Sequence, residues 1–162
     1  MGCACKKDIP DYPGTEEWGP LLWKILHSLA EKVGSKSFDE ERREWNRLLT
    51  LTTDILPCTV CKAHYKEVIK ATPVTPVLKM TPAEARLFLQ TWLWNLHNEI
   101  NVGNGKPELP FVDLPTLYGE TDIRDTYWRL EPVMKVAIVK SGVGYIAWQK
   151  WVASCKMLYS FY

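Results

Sequence analysis

The sequence carries its clearest chemistry at Pro57-Cys58-Thr59-Val60-Cys61, a proline followed by a C-x-x-C. Pro57 ends one apolar-periodic stretch and Cys58 opens the next, so the pair falls on the first turn of a helix. Backbone N–H groups and the helix dipole stabilise a thiolate there and lower its pKa. Two cysteines at this spacing can close an exchangeable disulfide, which is the redox reading. Zinc is the second reading: Cys58, Cys61 and His64 supply three ligands, but the second C-x-x-C or Cys/His pair of a closed site is missing from the sequence. The motif also occurs in thioredoxin-like folds, whose strand–helix–strand context this chain lacks.

A second group of residues points to a ligand. Trp94, His97, Asn98 and Asn101 recur at i, i+3, i+4 and i+7, on one helical face. A bundle core would put aliphatic side chains there, because buried amides without partners are costly. The plain alternative is a solvated polar face, with Trp92, Leu93 and Leu96 doing the packing. Nearer the N-terminus, Trp18-Gly19 precedes Trp23 and His27, which lie one turn apart; Gly19 lets a planar ring or a phosphate approach the backbone. A Trp-plus-His pair on each of two helices, with a C-x-x-C between them, suits a dithiol beside a flat, polar cofactor such as a flavin.

These residues must be positioned by helices, since nearly every signal along the chain is helical. Thr15 reads as the cap of a first helix ending at Gly34. Ser37-Phe38-Asp39-Glu40 has the capping-box spacing and opens a second, which stops at Pro57; a third runs to about Lys70. Ala71 to Met80, with two prolines, reads as a loop. Thr81-Pro82-Ala83-Glu84 is the strongest start signal and opens a fourth helix running to about Val102. Lys106 to Gly119 holds three prolines and reads as extended or looped. Asp122 to Lys140 is helical but should break or kink at Pro132. Val143 to Tyr159 is amphipathic, with Trp148, Trp151, Val152, Cys155 and Tyr159 on one side. The expected fold is all-α: a four-helix bundle able to hold a cofactor between facing helices, with additional short C-terminal helices. The expected division is a flexible tail over 1–14, a cofactor-binding domain over 15–118 and a helical extension over 119–162.

Composition sets the outer limits. With 162 residues, 46% hydrophobic and 24% charged, the chain is ordinary globular material, which excludes a disordered or collagen-like polymer. A net charge of +1 gives no argument for nucleic acid as a partner. No run approaches a membrane span, and the N-terminus lacks the apolar core of a secretory signal, so the expectation is a cytoplasmic protein.

The combination Trp18-Gly19-x-x-x-Trp23-x-x-x-His27, Pro57-Cys58-x-x-Cys61, His97-Asn98-x-x-Asn101 and Gly105-Lys106-Pro107 resembles the Erv/ALR family of FAD-linked sulfhydryl oxidases. The resemblance covers about Thr15 to Tyr118. It implies an FAD-binding four-helix bundle, usually a homodimer, that forms disulfides in protein dithiol substrates and passes the electrons to dioxygen, giving hydrogen peroxide. By position it implies Cys58 and Cys61 as the redox pair, with Cys61 facing the flavin and Cys58 exchanging with substrate. It implies Trp18, Gly19, Trp23, His27, Trp94, His97, Asn98, Ile100, Asn101, Lys106 and Tyr118 as cofactor contacts, and no metal. Three departures stand out. Trp94 occupies the place of a cysteine that many members pair with the C-terminus, Leu56 replaces the usual aromatic residue before Pro-Cys, and 119–162 exceeds the minimal domain. Compact members without the second disulfide are similar to those of large cytoplasmic DNA viruses, which would place the protein in host cytoplasm and virion.

The five cysteines leave two open questions. Cys3-x-Cys5, in Met1-Gly2-Cys3-Ala4-Cys5-Lys6-Lys7, reads three ways: a pair shuttling electrons to the core disulfide, acceptors for an acyl anchor beside a myristoylated Gly2, or an inert tail. Cys155 reads as a buried bystander. Two non-oxidase readings stand beside the enzyme: a zinc-stabilised helical interaction module and a virion scaffold without turnover.

Overall fold

Capping chemistry fixes where most helices begin. The computed structural model describes residues 10–35 and 39–162. Its helices are α1 (Thr15–Ala30), α2 (Asp39–Ile55), α3 (Thr59–Ala71), α4 (Pro82–Gly103), α5 (Leu114–Tyr118), α6 (Ile123–Val139) and α7 (Tyr145–Phe161), and no strand occurs among the described residues. Thr81 caps α4 as its sequence demands: its hydroxyl accepts from the Glu84 N–H at 3.3 Å, and the Glu84 carboxylate accepts from the Thr81 N–H at 2.8 Å. Thr15 is not a cap. It is the first helical residue of α1, and the Gly14 N–H before it donates to the Glu17 carboxylate at 2.7 Å. The Ser37-Phe38 start signal lies outside the described residues.

Three expectations change. The proline-rich links are not featureless: 3₁₀ turns form at Thr75–Lys79 and Phe111–Asp113, and α5 follows the second. Prolines 76 and 115 sit at the starts of such turns, where a missing N–H costs nothing. Pro132 does not break α6, which runs through it. Pro132 is exposed, and it donates no N–H to the Trp128 carbonyl. On α7 the buried stripe is Trp148, Trp151, Ser154, Cys155 and Leu158, whereas Tyr159 is 40% exposed.

The C-terminal helices are full-length, 17 residues each, and share one core with the first four. α6 packs along α1 and α7 along α2, while α4 packs on α1 and α3 on α2. Trp45 and Trp151 are fully buried. Burying a large apolar side chain stabilises by about 1.5–3 kcal/mol, so this second layer is a major part of the fold. It is also pinned by hydrogen bonds. The Trp151 Nε1–H donates to Thr52 Oγ1 at 3.0 Å, and the Trp45 Nε1–H donates to the Tyr162 hydroxyl at 3.1 Å. That hydroxyl donates to the buried Glu41 carboxylate at 2.6 Å, which also accepts from the Gly34 N–H at 3.2 Å. Gly34 has φ +81°, a left-handed conformation that glycine adopts without strain.

Candidate functional site

The α2–α3 junction builds the reactive end of the site. Pro57 ends α2, and Cys58 becomes the N-cap of α3, with its Sγ accepting from the Cys61 N–H at 3.1 Å. Cys58 and Cys61 form a disulfide, with Cα atoms 5.1 Å apart. Both sulfurs lie in the wall of a cavity of about 1040 Å³ bounded by α1, α2, α3 and α4. That volume is at the upper end of the range for small-molecule sites. Among the described residues no cluster of His, Cys, Asp or Glu is placed to hold a metal ion. His64, the third ligand of the zinc reading, instead pairs with Glu99 of α4 at 2.8 Å.

The α1 wall supplies Trp18, Gly19 and Trp23. Trp18 is 6% exposed, and its buried Nε1–H has no hydrogen-bond partner. A buried donor left unpaired costs about 1–3 kcal/mol. A Cβ built on Gly19 meets nothing within 4 Å, leaving the backbone open to close approach. Pro20, in the second turn of α1, donates no N–H to Glu16, and both residues also line the cavity.

The α4 wall supplies His97, Ile100 and Asn101. His97 stacks on Trp23, with ring centroids 4.3 Å apart and an interplanar angle of 7°. Its Nδ1 shares a hydrogen bond with Nε2 of the buried His27 at 3.0 Å, and His27 stacks on Tyr118 at 4.6 Å. Burial, then the neighbouring His97, pushes the His27 pKa down to about 3. Burial, then Lys106, pushes His97 down to about 4. Both imidazoles are therefore neutral near pH 7, and one donates to the other. Lys106 reaches the cavity because Gly105, at φ +69°, turns the chain sharply after α4, and the Lys106 N–H returns to the Asn101 carbonyl at 2.8 Å.

The sequence-derived residues thus divide. Cys58, Cys61, Trp18, Gly19, Trp23, His97, Ile100, Asn101, Lys106 and Tyr118 meet around one cavity. His27 stands behind that wall, touching His97 and Tyr118. Trp94 and Asn98 turn elsewhere. The Trp94 Nε1–H donates to the Leu109 carbonyl at 2.6 Å, and the Asn98 amide clasps the Leu109 backbone with two bonds of 2.9 and 2.7 Å. They fix the loop that carries Lys106. Cys3 and Cys5 lie outside the described residues. Sequence reasoning missed Thr52, Tyr65 and Glu99 in the wall. Tyr65 was findable, since it lies one helical turn after Cys61; Thr52 and Glu99 had no local signal.

A chemical description follows. An exchangeable disulfide opens onto a large cavity walled by flat rings, with neutral imidazoles, one unpaired indole donor and a lysine. That set fits a cofactor with a planar ring system and a phosphate-bearing tail.

Comparison with known proteins adds a family. The model for the Erv1/Alr family matches residues 20–123. The chain is 32% identical over 127 residues to the FAD-linked sulfhydryl oxidase ERV1 of Oryza sativa, covering 78% of this chain and 62% of that protein. It is 26% identical over 117 residues to the Arabidopsis thaliana protein of the same name, covering 72% and 58%. An FAD-linked sulfhydryl oxidase of African swine fever virus is 23% identical over 107 residues, covering 66% and 84%. The chain thus spans about three-fifths of the length of the two plant relatives. No solved structure matches it.

Proposed function

This chain belongs to the Erv1/Alr family, and on that premise we propose that it is an FAD-dependent sulfhydryl oxidase acting on protein dithiols. One observation carries the reading: the Cys58–Cys61 disulfide sits in the wall of the large ring-lined cavity. Trp18, Gly19, Trp23, His97, Ile100, Asn101, Lys106 and Tyr118 would hold the cofactor, with His27 bracing His97 and Tyr118 from behind. Lys106 suits the phosphates as a point charge. Trp94 and Asn98 serve indirectly, by setting the Lys106 loop.

The thiol chemistry belongs to the chain's own residues. A substrate thiolate attacks Cys58 Sγ; the Cys58–Cys61 bond breaks and Cys61 leaves as a thiolate, held in the first turn of α3. The second substrate thiolate attacks the substrate sulfur of the mixed disulfide. A substrate disulfide forms, Cys58 leaves, and the pair now carries two electrons. His64, paired with Glu99 at the cavity edge, can take a proton from an incoming thiol. When bound, FAD supplies the acceptor for that electron pair and its onward delivery to dioxygen, which leaves as hydrogen peroxide.

The same reading carries homodimeric assembly and work in the cytoplasm, in host cytoplasm and virion for a viral source. Among the described residues no helix is long and apolar enough to cross a membrane. Residues 15–118 form the cofactor domain, and 119–162 is its buttress rather than an independent unit. Cys3 and Cys5 are the shuttle pair in this scheme. Tyr12 lies on the Pro57 carbonyl, next to Cys58, which supports the shuttle reading. An acyl anchor and an inert tail are the competing roles.

Oxygen uptake driven by a small dithiol tests the function. The wild-type chain should consume oxygen, and Cys58→Ser and Cys61→Ser should each lose at least about 10²-fold of that rate. Equal uptake by wild type and both variants would refute the reading.

A further inference from the structure

Two stretches lie outside the matched segment 20–123: the arm before α1 and the greater part of the α6–α7 hairpin. They meet beside the exchange cysteine. The Tyr12 hydroxyl donates to the Pro57 carbonyl at 2.5 Å. Tyr12 also lies against Gly142, in the turn between α6 and α7. A Cβ on Gly142 would overlap its hydroxyl and ring. Gly142 is itself held, its N–H donating to the Ala137 carbonyl at 2.9 Å. Pro13, next to Tyr12, is buried. The arm therefore wedges a phenol between the hairpin turn and the peptide that leads into Cys58. The chain has Leu56 before Pro57, and Tyr12 brings an aromatic ring to this spot from far away in sequence.

That peptide matters because of where Cys58 stands. Cys58 is the N-cap of α3, at φ −91° and ψ 122°, with its Sγ on the Cys61 N–H. The peptide unit is planar, so holding the Pro57 carbonyl holds the plane from which Cys58 φ is measured. Once the disulfide opens, a Cys58 thiolate in this cap keeps its N–H donor and the positive end of the helix. Burial raises the Tyr12 pKa, so its hydroxyl stays a donor through the neutral range.

We propose that Tyr12 is a positioning residue for Cys58: seated on Gly142, it holds the Pro57–Cys58 peptide so that the Cys58 sulfur stays on the helix cap and reacts as a thiolate. That Cys58 exchanges with substrate rests on the oxidase reading. Its thiol reactivity does not, and can be read without flavin turnover or oxygen.

The test is alkylation of the fully reduced, full-length protein by iodoacetamide, anaerobically and across pH, with each cysteine resolved by peptide mass spectrometry. The other titratable and charged groups in the same wall are Cys61, His64, Tyr65, His97, Tyr118, Glu16, Glu99 and Lys106; the variants leave all of them in place. Cys155, buried in the α7 core, reports whether the fold is intact. Tyr12→Phe should slow Cys58 alkylation at pH 7 by about fivefold, the usual worth of one hydrogen bond, and move its pH midpoint upward while Cys155 stays protected. Gly142→Ala, which displaces the ring and leaves the hydroxyl chemistry alone, should do the same. The double variant should be no worse than the larger single effect. Wild-type Cys58 reactivity in either variant with Cys155 protected would overturn the proposal. So would a parallel rise in Cys155 labelling, which would mark Tyr12 as a general core residue.

Discussion

The α1–α4 cavity wall and the α2–α7 layer use the same residue types to opposite ends. In the layer, Trp151 and Trp45 are fully buried and each indole N–H has a partner: Thr52 for one, Tyr162 for the other. In the wall, Trp18 is nearly as buried, yet among the described residues it is the indole whose buried N–H has none. Two histidines there are held neutral, His27 by burial and then His97, and His97 by burial and then Lys106. The contrast separates scaffold from site. A buried polar group with a partner stabilises the fold; the Trp18 indole, in a residue that lines the cavity, has none.

Substitutions should break the two regions differently. Trp151→Ala removes a fully buried ring and its hydrogen bond to Thr52, so it should destabilise by about 3–5 kcal/mol in chemical denaturation. Trp18→Phe should do the reverse of what burial suggests. Deleting an unpaired donor should leave the cofactor-free protein as stable or up to about 1 kcal/mol more stable, while flavin is retained more weakly. A large stability loss in Trp18→Phe would place Trp18 with the scaffold.

The histidine wall adds a pH test. The folded pKa of His27 lies below its ordinary value, so the unfolded chain binds more protons between the two. The stability this gives is full above about pH 6.5 and is lost as pH falls toward 3. At pH 5 the loss from His27 should be about 2 kcal/mol relative to pH 7. His27→Gln should flatten that slope. An unchanged slope would mean that His27 is not held neutral by the fold.

The smallest effect on flavin retention belongs to the loop clasp. Asn98→Ala should cost about 1–2 kcal/mol through Leu109 and weaken flavin retention only through Lys106. A loss of flavin as large as in Trp18→Phe would put Asn98 on the cavity itself.

What the sequence revealed follows from the range of the forces involved. The Thr81-Pro82-Ala83-Glu84 box and the Cys58 helix start are local, and both are where the sequence puts them. The Trp94–Asn101 stripe was read as one face. It splits by i, i+4 pairs: His97 and Asn101 turn to the cavity, Trp94 and Asn98 to Leu109. Periodicity fixes which residues share a face, but the path of the Pro107–Pro110 loop decides what covers it. Pro132 predicts a break or a kink, yet α6 runs through it, because the packing of a whole helix outweighs one missing N–H. The docking of α6 and α7, the His64–Glu99 pair and the Tyr12–Pro57 bond join residues 35 to 121 positions apart, beyond any local signal.

The central claim is that the cavity holds FAD within electron-transfer reach of the Cys58–Cys61 pair. The visible absorption of the purified full chain, before and after an anaerobic dithiol, tests it most directly. The account predicts a flavin band in the wild type that bleaches on dithiol addition, and in Cys61→Ser the same band without rapid bleaching. A colourless protein that takes up no added FAD, or a band bleaching equally fast in both, would contradict it.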